Sequence, residues 1–396
     1  MITPTMRLAQ KGKTYLIGPT ESILTKRGNR FPNIAQFLTD EGEEVIYFTS
    51  NFYHAEKRFF KLEEIDFEKE QIEYKLKVLK VLGYYNNVSI RRVLNNLFFS
   101  IYVFSLLLFK VKRNDKILLP SRPVELIYFI SLLKKIKGVR IILDIQDIWP
   151  DALDIKNKRK KRIFEIYCHA FLSPSLKNYD KAFYTAPTFK KWLKRYSINT
   201  PSVLIPLGWE DARWEDITKA ELVNNFYKIK LVCVAQLQHQ INVLPILEVL
   251  RNNKNYHFTI IGEDGKGARY EEVTSFIKKN EIDNVEIIGK VDRDKMKSYL
   301  EDKDIGILPM ITPSIPNKIF DYLASYLPII VLGDNDSSEF VLENQIGWSC
   351  GFNSKELSIK LLDISEEEIR IKRKTVETIR EKYSRNHLHQ LIKEHL

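Results

Sequence analysis

Short β-branched runs alternate with longer stretches of helical periodicity along almost the whole chain, and this alternation points to parallel strands joined by crossover helices. The strand candidates fall into two sets. The first is Thr14 to Ile17, Glu44 to Phe48, Lys116 to Leu119, Arg140 to Ile145, Ala182 to Tyr184 and Ser202 to Ile205; the second is Lys230 to Val234, His257 to Ile261, Val285 to Ile288, Ile305 to Leu308 and Ile329 to Leu332. Helical patterns sit between nearly all of them, as in Phe31 to Thr39, Arg92 to Lys110, Val124 to Lys135, Val243 to Arg251, Tyr270 to Lys279 and Ile319 to Ala324. Pro206 to Thr218 separates the sets with one Pro, one Gly, two Trp and five charged residues but no sustained period, so it reads as a linker. The expected organisation is a domain over 1–205, a second over 206–364, and a helical tail over 365–396 that can cross back to the first. Ligands of two such open parallel sheets belong outside the carboxyl ends of the strands, in a cleft between the domains.

The length of 396 residues suits two domains of roughly 150 residues each. With 44% hydrophobic residues and only 15 Gly and 15 Pro, the composition is that of a packed globular protein. Cys168, Cys233 and Cys350 lie far apart, which argues against a disulfide framework or zinc ribbon and suits the cytoplasm. The 62 basic residues exceed the 51 acidic ones by 11, favouring anionic partners. The N-terminus lacks the pattern of a secretory signal. The longest apolar stretch, Leu97 to Phe109, is 13 residues with two serines in it, where a membrane span needs about 20.

Three segments can carry chemistry. Leu143 to Pro150 ends an apolar strand with Asp144, Asp147 and Trp149; a carboxylate there can accept a hydrogen bond from a ligand hydroxyl or stabilise developing positive charge. The alternative is that Asp147 caps a turn and Trp149 fills a gap. Pro316-Asn317-Lys318 opens a helix behind a strand, offering free amides and a partial positive charge to a phosphate. Lys318 opposes the helix dipole there, which a bound diphosphate would explain, and Asp321 lies one turn on, able to grip a diol. The alternative is an ordinary amphipathic helix with Phe320, Leu323 and Ala324 inward. The third, Gly262 to Gly267, is a weaker glycine-rich turn whose spacing departs from the dinucleotide fingerprint. Asp334-Asn335-Asp336 reads as a turn with helix capping, and no metal is assigned.

His54 follows a strand in Thr49 to His54 and could touch a substrate, although a lone loop histidine is more often structural. Hydrolase elbows and P-loops are absent from the sequence. The helix Arg92 to Lys110, bracketed by Arg91, Arg92, Lys110, Lys112 and Arg113, fits shallow insertion at an anionic bilayer, or equally a core helix. The basic run 156–162 could meet lipid headgroups or pyrophosphate, or simply open a solvated helix. Nucleic acid is not expected, because no reading module accompanies the charge.

In order and wording, Gly28-Asn29-Arg30, Asp40 to Val45, Asp144 to Pro150, Pro206-Leu207-Gly208-Trp209, Ile260 to Glu263 and Pro316 to Tyr322 resemble a retaining family 4 glycosyltransferase of the GT-B fold, especially those that build bacterial surface polysaccharides. The resemblance implies an α/β fold of two Rossmann-like domains facing across a cleft, with C-terminal helices. It implies metal-independent transfer, without a cofactor, from a nucleotide-sugar donor to a lipid-linked or growing glycan, with retention, at the inner face of the cell membrane. It places Lys318 with Pro316 and Asn317 on the diphosphate, Asp321 on the ribose, and Gly289-Lys290-Val291 on the base. Gly28 falls near the donor phosphates, Gly262 and Arg30 on the donor side, and Asp147, Asp144 and His54 at the catalytic edge. Where many members carry an Arg and a Lys after the first strand of the second domain, this chain has Gln236 and Gln240, and the first of the family's paired glutamates falls at Pro313. Loss of those charges leaves a catalytically impaired binding or scaffold subunit as the alternative reading.

Overall fold

A computed structural model describes residues 12–25, 29–61, 63, 72–153, 155–214, 228–237, 241–263, 265 and 267–396. Gly28 and Gln240 lie outside the described residues. The chain divides into two compact units, one running to Ile205 and taking in His389–Leu396, the other Pro206–Leu388.

The first unit contains β1 (Thr14–Ile17), α1 (Arg30–Asp40), β2 (Val45–Ser50), β3 (Phe52–Tyr53), β4 (Arg58–Phe59), β5 (Lys75–Leu79), α2 (Ile90–Lys110), β6 (Lys116–Pro120), α3 (Val124–Lys137), β7 (Arg140–Ile145), α4 (Lys158–Leu172), β8 (Lys181–Tyr184), α5 (Pro187–Tyr196) and β9 (Ser202–Leu204). Its main sheet has seven parallel strands in the order β5-β2-β1-β6-β7-β8-β9, and β3 and β4 form a small antiparallel pair. Helices cover both faces of such a sheet, which is why Thr14–Ile17 is buried at every position instead of alternating. The sequence reading omits β5 because Lys75–Leu79 is an edge strand, mostly half-exposed and interleaved with lysines.

The second unit contains α6 (Asp211–Trp214), β10 (Ile229–Val234), α7 (Leu244–Asn252), β11 (Tyr256–Glu263), α8 (Ala268–Lys279), β12 (Val285–Gly289), α9 (Met296–Leu300), β13 (Ile305–Leu308), α10 (Asn317–Ala324), β14 (Ile329–Leu332), α11 (Asp336–Glu343), β15 (Gly347–Cys350), α12 (Ser354–Asp363) and α13 (Glu366–Ile379). The parallel order is β12-β11-β10-β13-β14-β15. The edge strand β15 has only four residues, one of them Gly, and carries no readable period. Asn335 opens α11 with a capping box closed by Ser338, which accounts for the Asp334-Asn335-Asp336 run. The last helix, α14 (Arg385–His395), ends in residues that belong with the first unit.

Strand order reverses once in each sheet, between β1 and β6 and between β10 and β13. Ligands of open α/β sheets bind at such reversals, beyond the carboxyl ends of the strands. Helix α2 is 21 residues, long and apolar enough by length and composition to cross a membrane. Its Phe99, Val103 and Leu107 are nevertheless buried, and it packs on α3 within the first unit, so crossing a bilayer would tear that core open.

Candidate functional site

In the second unit the reversal is fastened by one side chain. The Tyr322 hydroxyl of α10 accepts a hydrogen bond from the Val234 amide at 2.9 Å and lies 3.3 Å from the Val232 carbonyl, pinning the helix over the β10/β13 junction. Gly306 makes that possible, since a Cβ on it would stand 2.6 Å from the Tyr322 ring. Helix α10 therefore starts at the ligand-binding position of the sheet. Its N-cap is Pro316, in extended conformation and with no side-chain cap, which leaves the first amides available to an anion.

Lys318 and Asp321 stand on the first turns of this helix, both half-buried. Burial lowers the Lys318 ammonium pKa, against the pull of Cys233 and Asp321. Burial pushes the Asp321 carboxyl up, while the charges of Arg213, Arg293, Arg385 and Lys318 pull it back. Arg213 and Arg385 both bond Glu210 Oε2, at 2.6 and 3.2 Å. A carboxylate is thus ringed by cations beside an uncapped helix start, an arrangement suited to a ligand with both phosphates and hydroxyls.

The other anticipated donor residues share this sheet edge. Gly262 adopts φ +105 at a bulge between Ile261 and Glu263, a conformation that favours glycine. Gly289 ends β12 opposite Glu263, followed by exposed Lys290 and half-buried Val291. Gln236 is half-buried after β10.

In the first unit the loop after β1 is held by side chains of β2. Thr49 Oγ1 donates to the Gly18 carbonyl at 2.9 Å, Ser50 Oγ to Pro19 at 2.6 Å, and the Tyr47 hydroxyl to Glu21. Beside this loop lies a pocket lined by His54, Tyr84, Arg92, Asn95, Arg122 and Trp149, among others. Asp147 reaches this pocket only through its lining residue Arg122. Its Oδ1 accepts from the amide of the next residue, Ile148, at 2.9 Å, while Oδ2 pairs with Arg122 at 3.1 Å. Trp149 is buried, its carbonyl accepting from Trp192 Nε1 and its ring facing the Arg92 guanidinium at 4.7 Å. His54 Nδ1 lies 2.5 Å from the Tyr84 hydroxyl and 3.0 Å from Lys57 Nζ. The ammonium only donates, so Nδ1 is the acceptor and the ring proton resides on Nε2. Burial, reinforced by Lys57, Arg92 and Arg122, depresses the His54 pKa to about 3, keeping the imidazole neutral.

Asp144 and Arg30 were expected in separate roles, and the structure pairs them instead. Asp144 is 0% exposed and takes a two-point bond from Arg30, at 2.8 and 3.0 Å, plus a third from Gln146. Arg30 also donates to the Ile205 carbonyl at 3.2 Å. Both charges compensate each other inside the unit, because β7 is buried from Ile141 to Ile145 and leaves the Asp144 carboxylate no access to water.

Residues 215–382 match the family of glycosyl transferases group 1. The match falls within the second unit. The chain is 22% identical over 296 residues, 67% of its length and 70% of the other's, to the probable glycosyltransferase WbjE of Pseudomonas aeruginosa. Its fold is similar to that of a sucrose-phosphate synthase from Thermosynechococcus elongatus (TM-score 0.68, 12% identity, 97% and 98% of the two chains). It is also similar to Anabaena HepE in complex with UDP (TM-score 0.68, 11% identity, 97% and 99% of the two chains). The fold is GT-B, two parallel-sheet α/β domains with a helical C-terminus.

Several residues at the two edges of this GT-B chain escape a sequence reading. Glu21, half-buried and accepting from the Phe31 amide at 3.1 Å, has its carboxyl pushed up to about 7, mainly by burial. It lines a second small pocket with Ser121, Arg122 and Gln146. The signal for Arg122 was its place two residues beyond β6. Arg213 hides in the aperiodic linker and Arg385 in the charged tail, and no local pattern marks either.

Proposed function

We propose that the chain transfers a sugar, with retention and without a metal or other cofactor, from a nucleotide-sugar donor to a lipid-linked or growing glycan acceptor of the bacterial surface-polysaccharide type. The observation that carries this reading is the uncapped start of α10 at the strand reversal, with Lys318 and Asp321 on its first turns. The departing nucleoside diphosphate gains negative charge as the glycosidic bond breaks. The amides of Asn317 and Lys318 and the Lys318 ammonium meet that charge without reorganising, the condition for strong electrostatic stabilisation. Asp321 takes the ribose hydroxyls, the backbone of Gly289-Lys290-Val291 the base, and Gly262 permits close approach of the loop after β11. Structures of Anabaena HepE with UDP and with UDP-glucose support a nucleotide-sugar partner for a chain of this fold. Acceptor binding falls to the first unit, with Asp147 and His54 at its pocket and the Arg30–Asp144 pair holding the sheet edge beneath.

The reading extends to the membrane. Ile90, Leu94, Phe98, Ile101, Tyr102 and Phe109 form one exposed stripe along α2, Ile90 at 79% and Phe109 at 85% exposure. Arg91 lies at one end and Lys110, Lys112 and Arg113 at the other, complementary to an anionic bilayer on the cytoplasmic side.

Titration with UDP, GDP, dTDP and ADP sugars, read by calorimetry and by release of the nucleotide, tests the donor assignment. At least one should bind, and Asp321→Ala should weaken it at least about tenfold, the size of one lost charge-assisted contact. Silence across the panel contradicts the enzyme reading, and partner binding untouched by Asp321→Ala would favour a scaffold.

A further inference from the structure

We infer that the pocket beside the β1 loop is a subsite for a phosphoryl group carried by the acceptor, with Arg92, Arg122 and His54 as donors; the inference rests on the transferase reading above. Among the described residues, the lining contains two guanidinium groups and an imidazole, and no carboxylate. Two carboxylates act on these cations from outside the lining: Asp147 pairs with Arg122 at 3.1 Å and offsets part of its charge, while Glu125 accepts from the Tyr167 hydroxyl at 2.5 Å.

Arg92 is the strongest sign. Its outer nitrogen donates to the Asn87 carbonyl at 2.6 Å, and its guanidinium faces the rings of Trp149 at 4.7 Å and Tyr84 at 5.4 Å. The plane is therefore fixed, yet its Nε is buried without a hydrogen-bond partner. A buried donor left unmet is costly, and a neutral sugar ring would not compensate the charge. A planar carboxylate matches one guanidinium fork. Two guanidinium groups from different elements, α2 and the loop after β6, together with the His54 Nε2 proton, suit a tetrahedral oxyanion with oxygens pointing several ways. The neutral state of His54 supports this, since it leaves the ring a donor. Helix α2 connects the two halves of such an acceptor, its outward stripe suiting an apolar carrier and its pocket face holding the charged head.

The test is calorimetric titration of the whole chain with phenyl phosphate, with phenol as neutral control. The donor site is first saturated with the nucleoside diphosphate that binds best in the panel above. One equivalent of phenyl phosphate should bind and phenol should not. Arg92→Gln and Arg122→Gln should each weaken binding at least about tenfold, with nucleotide affinity unchanged. Arg92→Lys keeps the charge but loses the fork, and should fall between wild type and Arg92→Gln; it also serves if Arg92→Gln melts early. Binding equal in wild type and variants, or none to the folded wild type at millimolar concentration, overturns the proposal. Competition by vesicles of phosphatidic acid assigns the group to a lipid head, and competition by glucose 1-phosphate to a soluble acceptor. Competition by neither reduces the site to a small-ion trap and overturns the acceptor assignment. If no nucleotide binds but the arginine variants still lose phenyl phosphate, the transferase reading fails while the oxyanion site stands.

Discussion

At the scale of single residues, burial has converted two ionisable groups of the first unit into groups with testable pH signatures. Glu21 titrates near 7 in the folded chain against an ordinary value of 4.5. The folded state therefore holds its proton longer than the unfolded state, and stability falls as pH rises from about 4.5 through 7. Glu21→Gln keeps an acceptor for the Phe31 amide and removes that loss. The variant should be more stable than wild type at pH 8 by an amount up to ~3 kcal/mol, with the gap closing below pH 4.5. Urea midpoints across pH provide the check, and a gap independent of pH contradicts it. His54 has the opposite sign. Its folded pKa lies near 3, below the usual 6.5, so its contribution is complete above 6.5 and drains away as pH falls toward 3. Its imidazole resonances should stay flat between pH 8 and 5, and an inflection near 6.5 would refute the buried neutral ring. Neither behaviour was legible beforehand. His54 was visible as a loop residue after a strand, but Lys57, Tyr84 and Arg92 reach it from three different segments, and Glu21 had no pattern at all.

At the scale of elements, the positions that a sequence can mark are those where chemistry and local geometry coincide. The Pro316 to Asp321 segment is such a place, because Pro before a helix and an ill-placed lysine are both local signals. What fixes this helix is remote: the Tyr322 hydroxyl meets the Val234 amide across the sheet. Tyr322→Phe leaves that amide without its acceptor. It should cost about 1–3 kcal/mol of stability and weaken nucleotide binding, measured together by denaturation and calorimetry; unchanged values would show that the bond does not set the helix. Helix α2 illustrates the converse. Its apolar run fitted both a core helix and an interfacial one; the structure buries Phe99, Val103 and Leu107 and leaves a second apolar stripe exposed. Phe98→Glu with Phe109→Glu should abolish sedimentation with anionic vesicles without lowering the melting temperature. Loss of folding instead would place the stripe inside an unseen packing surface.

At the scale of the whole molecule, the two-sheet organisation was the most legible property, because parallel strands buried on both faces leave long β-branched runs separated by helical periods. The edge strands β5 and β15 were not, since half-exposed edges carry lysine, glycine and serine in place of such runs. The Arg30–Asp144 pair marks another limit. Asp144 stands out as a charge near a strand end and Arg30 as one at a helix start, but only the fold reveals that they neutralise each other in the core. The cations around Asp321 come from the linker, the loop before α9 and the last helix, so their convergence is a product of tertiary structure alone.

A crystal structure of the chain with the tightest-binding nucleotide sugar tests the central claim most directly. The account predicts diphosphate oxygens within about 3 Å of the amides ahead of Ile319 and of the Lys318 ammonium, with the ribose on Asp321. A nucleotide seated on another edge of the second sheet, or a start of α10 closed off by its own chain, would contradict it.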